Sequence, residues 1–190
     1  MKKTAIAILL VLTLAFSLCA CGSKEKVKEY NSKEDFAELG LSLNAPQGAE
    51  GQKYAVVESS ANGEDINIAQ ISYTYNGISC ILRSANVAEH NISGFDENKA
   101  QSEEQYDLNI EGFSSQIRIM QMDGKYVAIW TLGDYSYSLC AETEDTLAAT
   151  SCAMDAANAN VPATGAPTTQ AAQSNPSEQS TAAQTSQAAY

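Results

Sequence analysis

The chain has 190 residues, with 11 Lys and Arg against 23 Asp and Glu, which gives a formal net charge of -12. A nucleic-acid-binding protein needs Lys and Arg to neutralise phosphates, so this charge argues against DNA or RNA as a partner. It also disfavours adsorption to anionic lipid or wall polymer, and an acidic surface of this kind most often serves solubility.

The N-terminal segment is typical of an export signal. Lys2 and Lys3 precede an uncharged, mostly aliphatic run over residues 4–18, which is shorter than the about 20 residues that a membrane-spanning helix needs. The run ends in Leu-Cys-Ala-Cys at 18–21. This resembles the lipobox of bacterial lipoproteins, in which the cysteine, here Cys21, receives a diacylglyceryl group and becomes the first residue of the mature chain.

The lipobox resemblance implies an address at the extracytoplasmic face of the cell membrane, with acyl chains such as palmitate on Cys21. Two acyl chains suffice for stable anchoring. The alternatives are a stop-transfer anchor and a signal that carries an incidental cysteine.

Four regions follow from this start. Residues 1–20 are a lipoprotein signal peptide, and 21–29 are a spacer in which lysines and glutamates alternate. Residues 30–157 have the length of one ordinary domain. Residues 158–190 consist mainly of Ala, Thr, Gln, Ser and Pro, so we predict a disordered tail that cannot offset the entropy cost of ordering.

Three cysteines remain after processing and lipidation: Cys80, Cys140 and Cys152. An odd number cannot pair fully within one chain, so either one disulfide and one thiol are present or none of the three is bridged. Buried small hydrophobic side chains are the simpler interpretation. The cysteine spacing matches no metal-site pattern and the single histidine, His90, lies in a polar segment, so we expect no metal and no cofactor.

A short N-terminal helix begins the predicted domain. Ser32 and Asp35 form a pattern like a capping box, Phe36 and Leu39 share one face, and Gly40 provides a left-handed stop. A helix of two turns is not stable alone, so we expect it to dock through Phe36 and Leu39.

Period-two patterns and turn signals predict an antiparallel sheet with one buried face. The expected turns are Asn76-Gly77, Asp123-Gly124 and Gly133-Asp134, which link their strands into a meander. Residues 85–104 are expected to form a long polar loop. The predicted strand segments are 53–58, 66–75, 78–82, 105–110, 115–122, 125–132 and 135–141.

A second helix is predicted to open at Thr143 and to pack across the apolar face of the sheet through Leu147, Ser151 and Met154. The expected fold class is therefore α+β: an antiparallel β-meander flanked by a short N-terminal helix and a C-terminal helix.

Several of these segments together resemble a family of domains of unknown function. It occurs in lipoproteins of Gram-positive gut bacteria and in membrane proteins like anti-sigma factors. The resemblance covers about residues 30–157 and implies the fold and the address, without an activity. Asn91 stands where the family often has an aspartate, which weakens the case for a metal there. The matching segments are Leu41–Pro46, Ile71–Gly77, Ile92–Gly94, Val127–Trp130 and Asp134–Leu139.

The sequence contains no nucleophile elbow, P-loop, dinucleotide fingerprint or zinc-protease motif. A catalytic triad would require His90, which has no Ser or Cys motif beside it. Adjacent acids such as Glu103 and Glu104 fit a solvated segment better than a pair of catalytic carboxylates. We therefore predict a protein that is not an enzyme, with no catalytic residues.

The aromatic residues of the strands are the remaining candidates for a binding site, although core packing is their usual role. Trp130 has the opposite parity to Val127 and Ile129, which predicts that it lies on the less apolar face. Trp130, Tyr135 and Tyr137 are therefore the candidate ligand contacts.

Taken together, the sequence predicts a lipid-anchored, extracytoplasmic domain that binds or senses a ligand, or has an accessory role at the cell envelope. Its partners are the membrane, through Cys21, and an envelope protein, glycan or lipid. One alternative is a carrier or chaperone of a lipid or lipoprotein-like ligand, which requires an apolar cavity on the order of several hundred Å³. A hydrolase, which requires acids that converge in a cleft, is the third.

Overall fold

The computed structural model describes residues 25–161 except for residues 62, 89 and 111. The predicted signal peptide, the lipidation residue Cys21 and all but the first residues of the predicted tail lie outside the described residues.

The domain is built on an eight-stranded antiparallel sheet. The strands are β1 (Lys26–Tyr30), β2 (Glu50–Ala61), β3 (Glu64–Tyr75), β4 (Ile78–Ala85), β5 (Ser102–Ile110), β6 (Phe113–Met122), β7 (Lys125–Leu132) and β8 (Tyr135–Ala141). Strands β7 and β8 have the predicted bounds, whereas β2 is longer than predicted and β5 begins earlier.

The strand order is β1-β2-β3-β4-β8-β7-β6-β5, so two four-stranded meanders meet at β4 and β8. Leu82 of β4 lies opposite Leu139 of β8 at this central pair. The prediction of a single meander is therefore wrong at one place: β5 lies at the far edge instead of beside β4. The connection over 86–101, which includes a single turn of 3-10 helix at Glu97–Lys99, carries the chain between the two meanders.

The predicted hairpin turns are confirmed. Asn76 and Gly77 both have positive φ, at 50° and 79°, as a type I′ turn requires. Gly124 and Gly133 also have positive φ, at 68° and 60°.

The prediction that residues 21–29 are a charged spacer is wrong from residue 26 onward, where strand β1 begins. Lys26 pairs with Glu58 and Tyr30 with Tyr54 across the β1–β2 ladder. Alternating Lys and Glu carry no hydrophobic signal, yet charged side chains are common on an edge strand because they discourage pairing with a second chain.

Helix α1 (Glu34–Glu38) is only five residues long. Phe36 is buried at 1% exposure, as predicted, but Leu39 is 45% exposed, so its predicted docking role is wrong. The Asp35 carboxylate accepts hydrogen bonds from the backbone N–H groups of Asn31 and Ser32. In a capping box, the acidic side chain inside the helix makes this kind of bond to the backbone before the helix.

Helix α2 (Thr146–Asn158) packs against β7 and β8, as predicted, but through a different face. Asp145 caps it by accepting the N–H groups of Leu147 and Ala148. Leu147 is 78% exposed and Ser151 is exposed as well, so the predicted stripe is wrong at these two residues, whereas Met154 is partly buried and packs against the core as predicted. Small side chains let the helix approach the sheet closely, and the buried ones are Ala149, Cys152, Ala153, Ala156 and Ala157.

The folded domain extends past its predicted end at residue 157. The Asn160 side chain is buried; its Oδ1 accepts the N–H of Asn44 and its Nδ2 donates to the carbonyls of Asn44 and Ala156, each at 2.8 Å. This side chain joins the end of α2 to the segment that follows α1, so residues 158–161 belong to the domain and not to a disordered tail.

The fold is mainly β, a large antiparallel sheet with a C-terminal helix. The expected class is α+β with a helix on each flank. Because α1 has only five residues, it does not form a flanking layer of its own. Within the described residues, no helix has the length and apolar character to cross a membrane.

Candidate functional site

The two faces of the sheet are covered differently, and this difference places the candidate site. One face packs under α2 through residues such as Ile71, Leu82 and Leu139. The other face is covered in part by the connection over 86–101, which inserts Ile92 beside Val57 and Ile68. This face also carries a second cluster around Met120 and Val127, against which Phe95 of the connection packs.

A buried arginine fixes this connection to the sheet. Arg83 of β4 is 5% exposed, and its guanidinium donates to both carboxylate oxygens of Glu25 at 3.2 and 3.1 Å. The same group donates to Gln70 at 2.9 Å and to the carbonyl of Ile92 at 3.2 Å. Gly94 lies so close that a Cβ there would be 2.9 Å from Arg83 Nη1. The segment Ile92–Gly94, which was noted in the sequence, therefore helps to attach the connection to Arg83 of the sheet.

Asn91 orders the same connection. Its Oδ1 accepts the backbone N–H of Ser93 at 2.9 Å and the Ser93 hydroxyl at 2.6 Å, and its Nδ2 donates to the carbonyl of Phe95 at 3.0 Å. Across the part of the chain that is described, no group of three or more His, Cys, Asp or Glu side chains is placed to hold a metal ion.

Beside this connection lies an open cleft of about 550 Å³. It forms where β6 and β7 part, because the ladder between these strands begins at Met122↔Lys125 and ends at Arg118↔Ile129. Beyond that point the hydroxyls of Ser115 and Thr131 are hydrogen-bonded at 3.3 Å. The cleft is lined by His90, Asn91, Glu97, Asp107, Ser114, Ser115, Gln116, Arg118, Ile129, Trp130, Thr131, Ser136 and Tyr137.

Arg118 is the cation of the cleft, and carboxylates already surround it. It pairs with Glu97 at 2.9 Å and with both oxygens of Glu103 at 2.8 and 2.9 Å. These hydrogen bonds from Arg118 lower the pKa of Glu103 to about 2. Asp107 accepts a hydrogen bond from Gln116 at 3.4 Å. The acids outnumber the single arginine, so the cleft offers no net attraction for an anion.

His90 and Ser136 meet in the cleft without forming a nucleophile and base. The contact is made by the backbone N–H of His90, which donates to Ser136 Oγ at 3.2 Å. The Ser136 hydroxyl in turn donates its proton to the carbonyl of Val87 at 2.6 Å. A catalytic serine must instead donate to a base that can take the proton.

Trp130 differs from the prediction in both face and exposure, and Tyr137 differs from it in exposure. Trp130 is 3% exposed and belongs to the core cluster under α2, so its expected position on the less apolar face is wrong. Its ring stacks on Tyr137 at 5.5 Å between centroids with an interplanar angle of 6°. Burial raises the pKa of Tyr137 to about 12, and its hydroxyl donates to the carbonyl of Asn160.

Trp130 and Tyr137 are among the residues that line the cleft, although their side chains are buried in the core under α2. The Trp130 indole Nε1 has no hydrogen-bond partner among the described residues, which is uncommon for a buried donor. Tyr135 is half-buried and its ring lies 6.5 Å from that of Tyr137. An exposed aromatic patch around Trp130 is therefore not what the fold presents, because the Trp130 and Tyr137 rings pack in the core under α2.

The polar walls of the cleft were missed by the sequence analysis. Gln116 and Arg118 alternate with the buried Ile117 and Ile119, which indicates a solvent-facing side of β6 but not what lies above it. The position of the 86–101 connection makes this side into a cleft, and no local pattern encodes that position.

Comparison with known proteins found no matching family model, no matching curated protein and no matching solved structure.

Proposed function

We propose that this chain is a lipid-anchored, extracytoplasmic and non-catalytic domain that binds a polar ligand in the cleft between β6, β7 and the 86–101 connection. The observation that carries the proposal is the cleft itself: about 550 Å³, with hydroxyl and amide side chains among its walls.

The chemistry of the walls suggests a class of ligand. Ser114, Gln116 and Thr131 supply neutral donors and acceptors, whereas Arg118 is already paired with carboxylates. A ligand rich in hydroxyl, amide or amine groups and without negative charge fits this set. Neutral sugars and lysine-bearing peptides meet these requirements.

The cleft can be tested with the protein's single tryptophan, Trp130, as the reporter. We expect its fluorescence to change saturably with diacetylchitobiose or with lysyl-lysine, and not with glutamyl-glutamate. Gln116→Ala should weaken the response at least about 3-fold, because one hydrogen bond contributes about 1 kcal/mol. Gln121→Ala is the matched control, since Gln121 lies on the same strand outside the cleft lining.

Two outcomes would overturn the binding proposal. One is a flat fluorescence response to both the sugar and the lysine peptide. The other is an equal loss of the response in the Gln116 and Gln121 variants, which would place the ligand elsewhere.

The anchor is tested independently through two neighbouring cysteines. We expect Cys21→Ser to abolish labelling by a fatty-acid analogue and to release the chain from membranes. Cys19→Ser should keep both the label and the membrane fraction, because position 19 lies in the segment that the lipobox pattern marks for removal. Retention of the label in Cys21→Ser would contradict the proposed anchor.

The carrier and the hydrolase have less support. The sheet face under α2 is filled by packed side chains, and neither the 550 Å³ cleft nor a second one of about 590 Å³ near Glu58 and Asp65 is lined by α2. Glu97 and Asp107 do face the first cleft, but Arg118 holds Glu97 in an ion pair.

A further inference from the structure

Two of the three buried cysteines meet between the sheet and α2. Cys80 of β4 and Cys152 of α2 are 1% and 2% exposed and belong to the same core cluster. The two thiols are close enough that each shifts the pKa of the other, that of Cys80 upward and that of Cys152 downward. The sulfur atoms are therefore neighbours in the folded chain.

The surrounding contacts hold α2 in the register that brings these sulfurs together. Tyr73 lies opposite Cys80 in the β3–β4 ladder. Two residues further along β3, on the same face, the Tyr75 hydroxyl donates to Asp155 of α2 at 3.0 Å. Since residues three apart lie on the same face of a helix, Asp155 over Tyr75 places Cys152 over Cys80.

The third cysteine lies on the other face of the sheet. Cys140 is opposite Ile81 in the β4–β8 ladder, whereas Cys80 is opposite Ala141. Successive strand residues point to opposite faces, so Cys140 packs with Met120, Met122 and Val127, away from α2. The sheet itself stands between Cys140 and Cys152.

We propose that Cys80 and Cys152 are a redox-active pair that forms an intrachain disulfide, locking α2 onto the centre of the sheet. This settles which of the three cysteines pair, a choice that the odd number leaves open in the sequence. An oxidising setting outside the membrane is part of the proposed function, but the chemistry of the pair depends only on the fold and on an added disulfide reagent.

The reaction is a thiol–disulfide exchange with a disulfide reagent such as oxidised glutathione or a dithiol oxidoreductase. The Cys152 thiolate attacks one sulfur of the reagent, forms a mixed disulfide and releases the first thiolate. Cys80 then loses its proton and attacks the Cys152 sulfur, which displaces the second thiolate. Two protons and two electrons leave the chain, and one reagent disulfide becomes two thiols.

The environment favours Cys152 as the first nucleophile. The hydrogen bond to Cys152, followed by burial, raises the pKa of the Cys80 thiol, whereas the hydrogen bond received from Cys80 lowers the pKa of the Cys152 thiol. Both thiols are buried, so exchange requires α2 to open or takes place before α2 has docked.

The test is disulfide mapping on the full chain. The protein is incubated with oxidised glutathione under native conditions, remaining thiols are alkylated, and the chain is cut with trypsin and a glutamate-specific protease. Cleavage after Glu142 and Glu144 separates Cys140 from Cys152. We expect one linked peptide pair that joins Cys80 to Cys152, lost on reduction, with Cys140 recovered in alkylated form.

Thermal unfolding gives a second readout. The disulfide closes a loop of about 70 residues, so the oxidised chain should unfold at a temperature roughly 10–15 °C above that of the reduced chain. Cys140→Ala should keep the difference, whereas Cys152→Ala should remove it.

Complete alkylation of Cys80 and Cys152 after oxidation would overturn the proposal, as would a link from either of them to Cys140. These results concern only the cysteine pair, so they leave the fluorescence test of the cleft unaffected.

Discussion

Gly94 provides the most stringent test of how the 86–101 connection is held on the sheet. Its φ of 79° is in the left-handed region, and a Cβ would lie 2.9 Å from Arg83 Nη1 and 3.2 Å from Glu25 Oε1. The guanidinium has little room to move, because it also donates to Gln70 and to the carbonyl of Ile92. Gly94→Ala must therefore both strain the backbone and push Arg83 from its partners.

These two costs can be separated in magnitude. A non-glycine residue in the left-handed region costs about 1–2 kcal/mol. Breaking a buried ion pair costs about 3–5 kcal/mol when one partner is removed, and displacing it in part costs less. The Arg83 and Glu25 side chains are 6% and 11% exposed, so this pair is buried. We expect Gly94→Ala to lower the free energy of unfolding by about 3–5 kcal/mol in total.

The assay is urea unfolding followed by circular dichroism, with Gly124→Ala as the control. Gly124 has a φ of 68° and nothing within 4 Å of a Cβ, so its substitution should cost only the backbone strain of about 1–2 kcal/mol. In an Arg83→Met background, the cost of Gly94→Ala should fall to the same value. If the two glycine variants are equally stable in the native background, the account of the Arg83 contact is wrong.

Three further perturbations test other parts of the fold. Ala153→Leu should lower the free energy of unfolding by about 1–3 kcal/mol, measured by urea unfolding, because the site is fully buried under α2. Asn160→Ala should cost about 2–4 kcal/mol in the same assay, because it leaves buried backbone groups unpaired. The Glu103 carboxyl should titrate near pH 2 by NMR; because its pKa is lowered in the folded state, its contribution to stability is present above about pH 4.5 and is lost as the pH falls towards 2.

Matched controls lie close to each of these sites. Leu147→Ala should change stability by less than about 0.5 kcal/mol, since the side chain is exposed. Asn158→Ala should be similarly mild, because its side chain donates only to the exposed end of its own helix. Arg118→Met should return the Glu103 titration towards an ordinary carboxyl, and an unchanged midpoint would contradict the assigned cause.

Local features of the fold could be predicted because they are encoded locally. The Asn76-Gly77 turn requires residues that tolerate positive φ, and β7 and β8 alternate in period two between turn signals. Along β3 the apolar side chains change parity near Gln70, from Ile66 and Ile68 to Ile71 and Tyr73. In the fold Ile68 packs on the side of the 86–101 connection, whereas Ile71 packs on the side of α2.

The pairing of β4 with β8 could not be predicted in the same way. A period-two pattern shows which face of a strand is buried, but not which strand follows across a long connection. Strand β1 was missed because its pairing with β2 rests on backbone hydrogen bonds, and its side chains carry charge instead of an apolar pattern.

Only two of the residues that line the candidate site were predicted from the sequence. Trp130 and Tyr137 were identified as candidate contacts, but they are buried, since the β7 face that carries Trp130 packs under α2. The walls of the cleft combine β6 with His90 and Asn91 of the connection, which are more than twenty residues away in the sequence. That long-range placement is a property of the assembled sheet.

The central claim, that the cleft binds a polar ligand without negative charge, is tested most directly by the NMR signal of the Gln116 side-chain amide, which lines the cleft. In a titration with lysyl-lysine or diacetylchitobiose, the Gln116 side-chain amide should shift and saturate, while the Gln121 amide stays in place. If the Gln116 signal does not move with either probe, or if the Gln121 signal moves with it, the cleft is not the binding site.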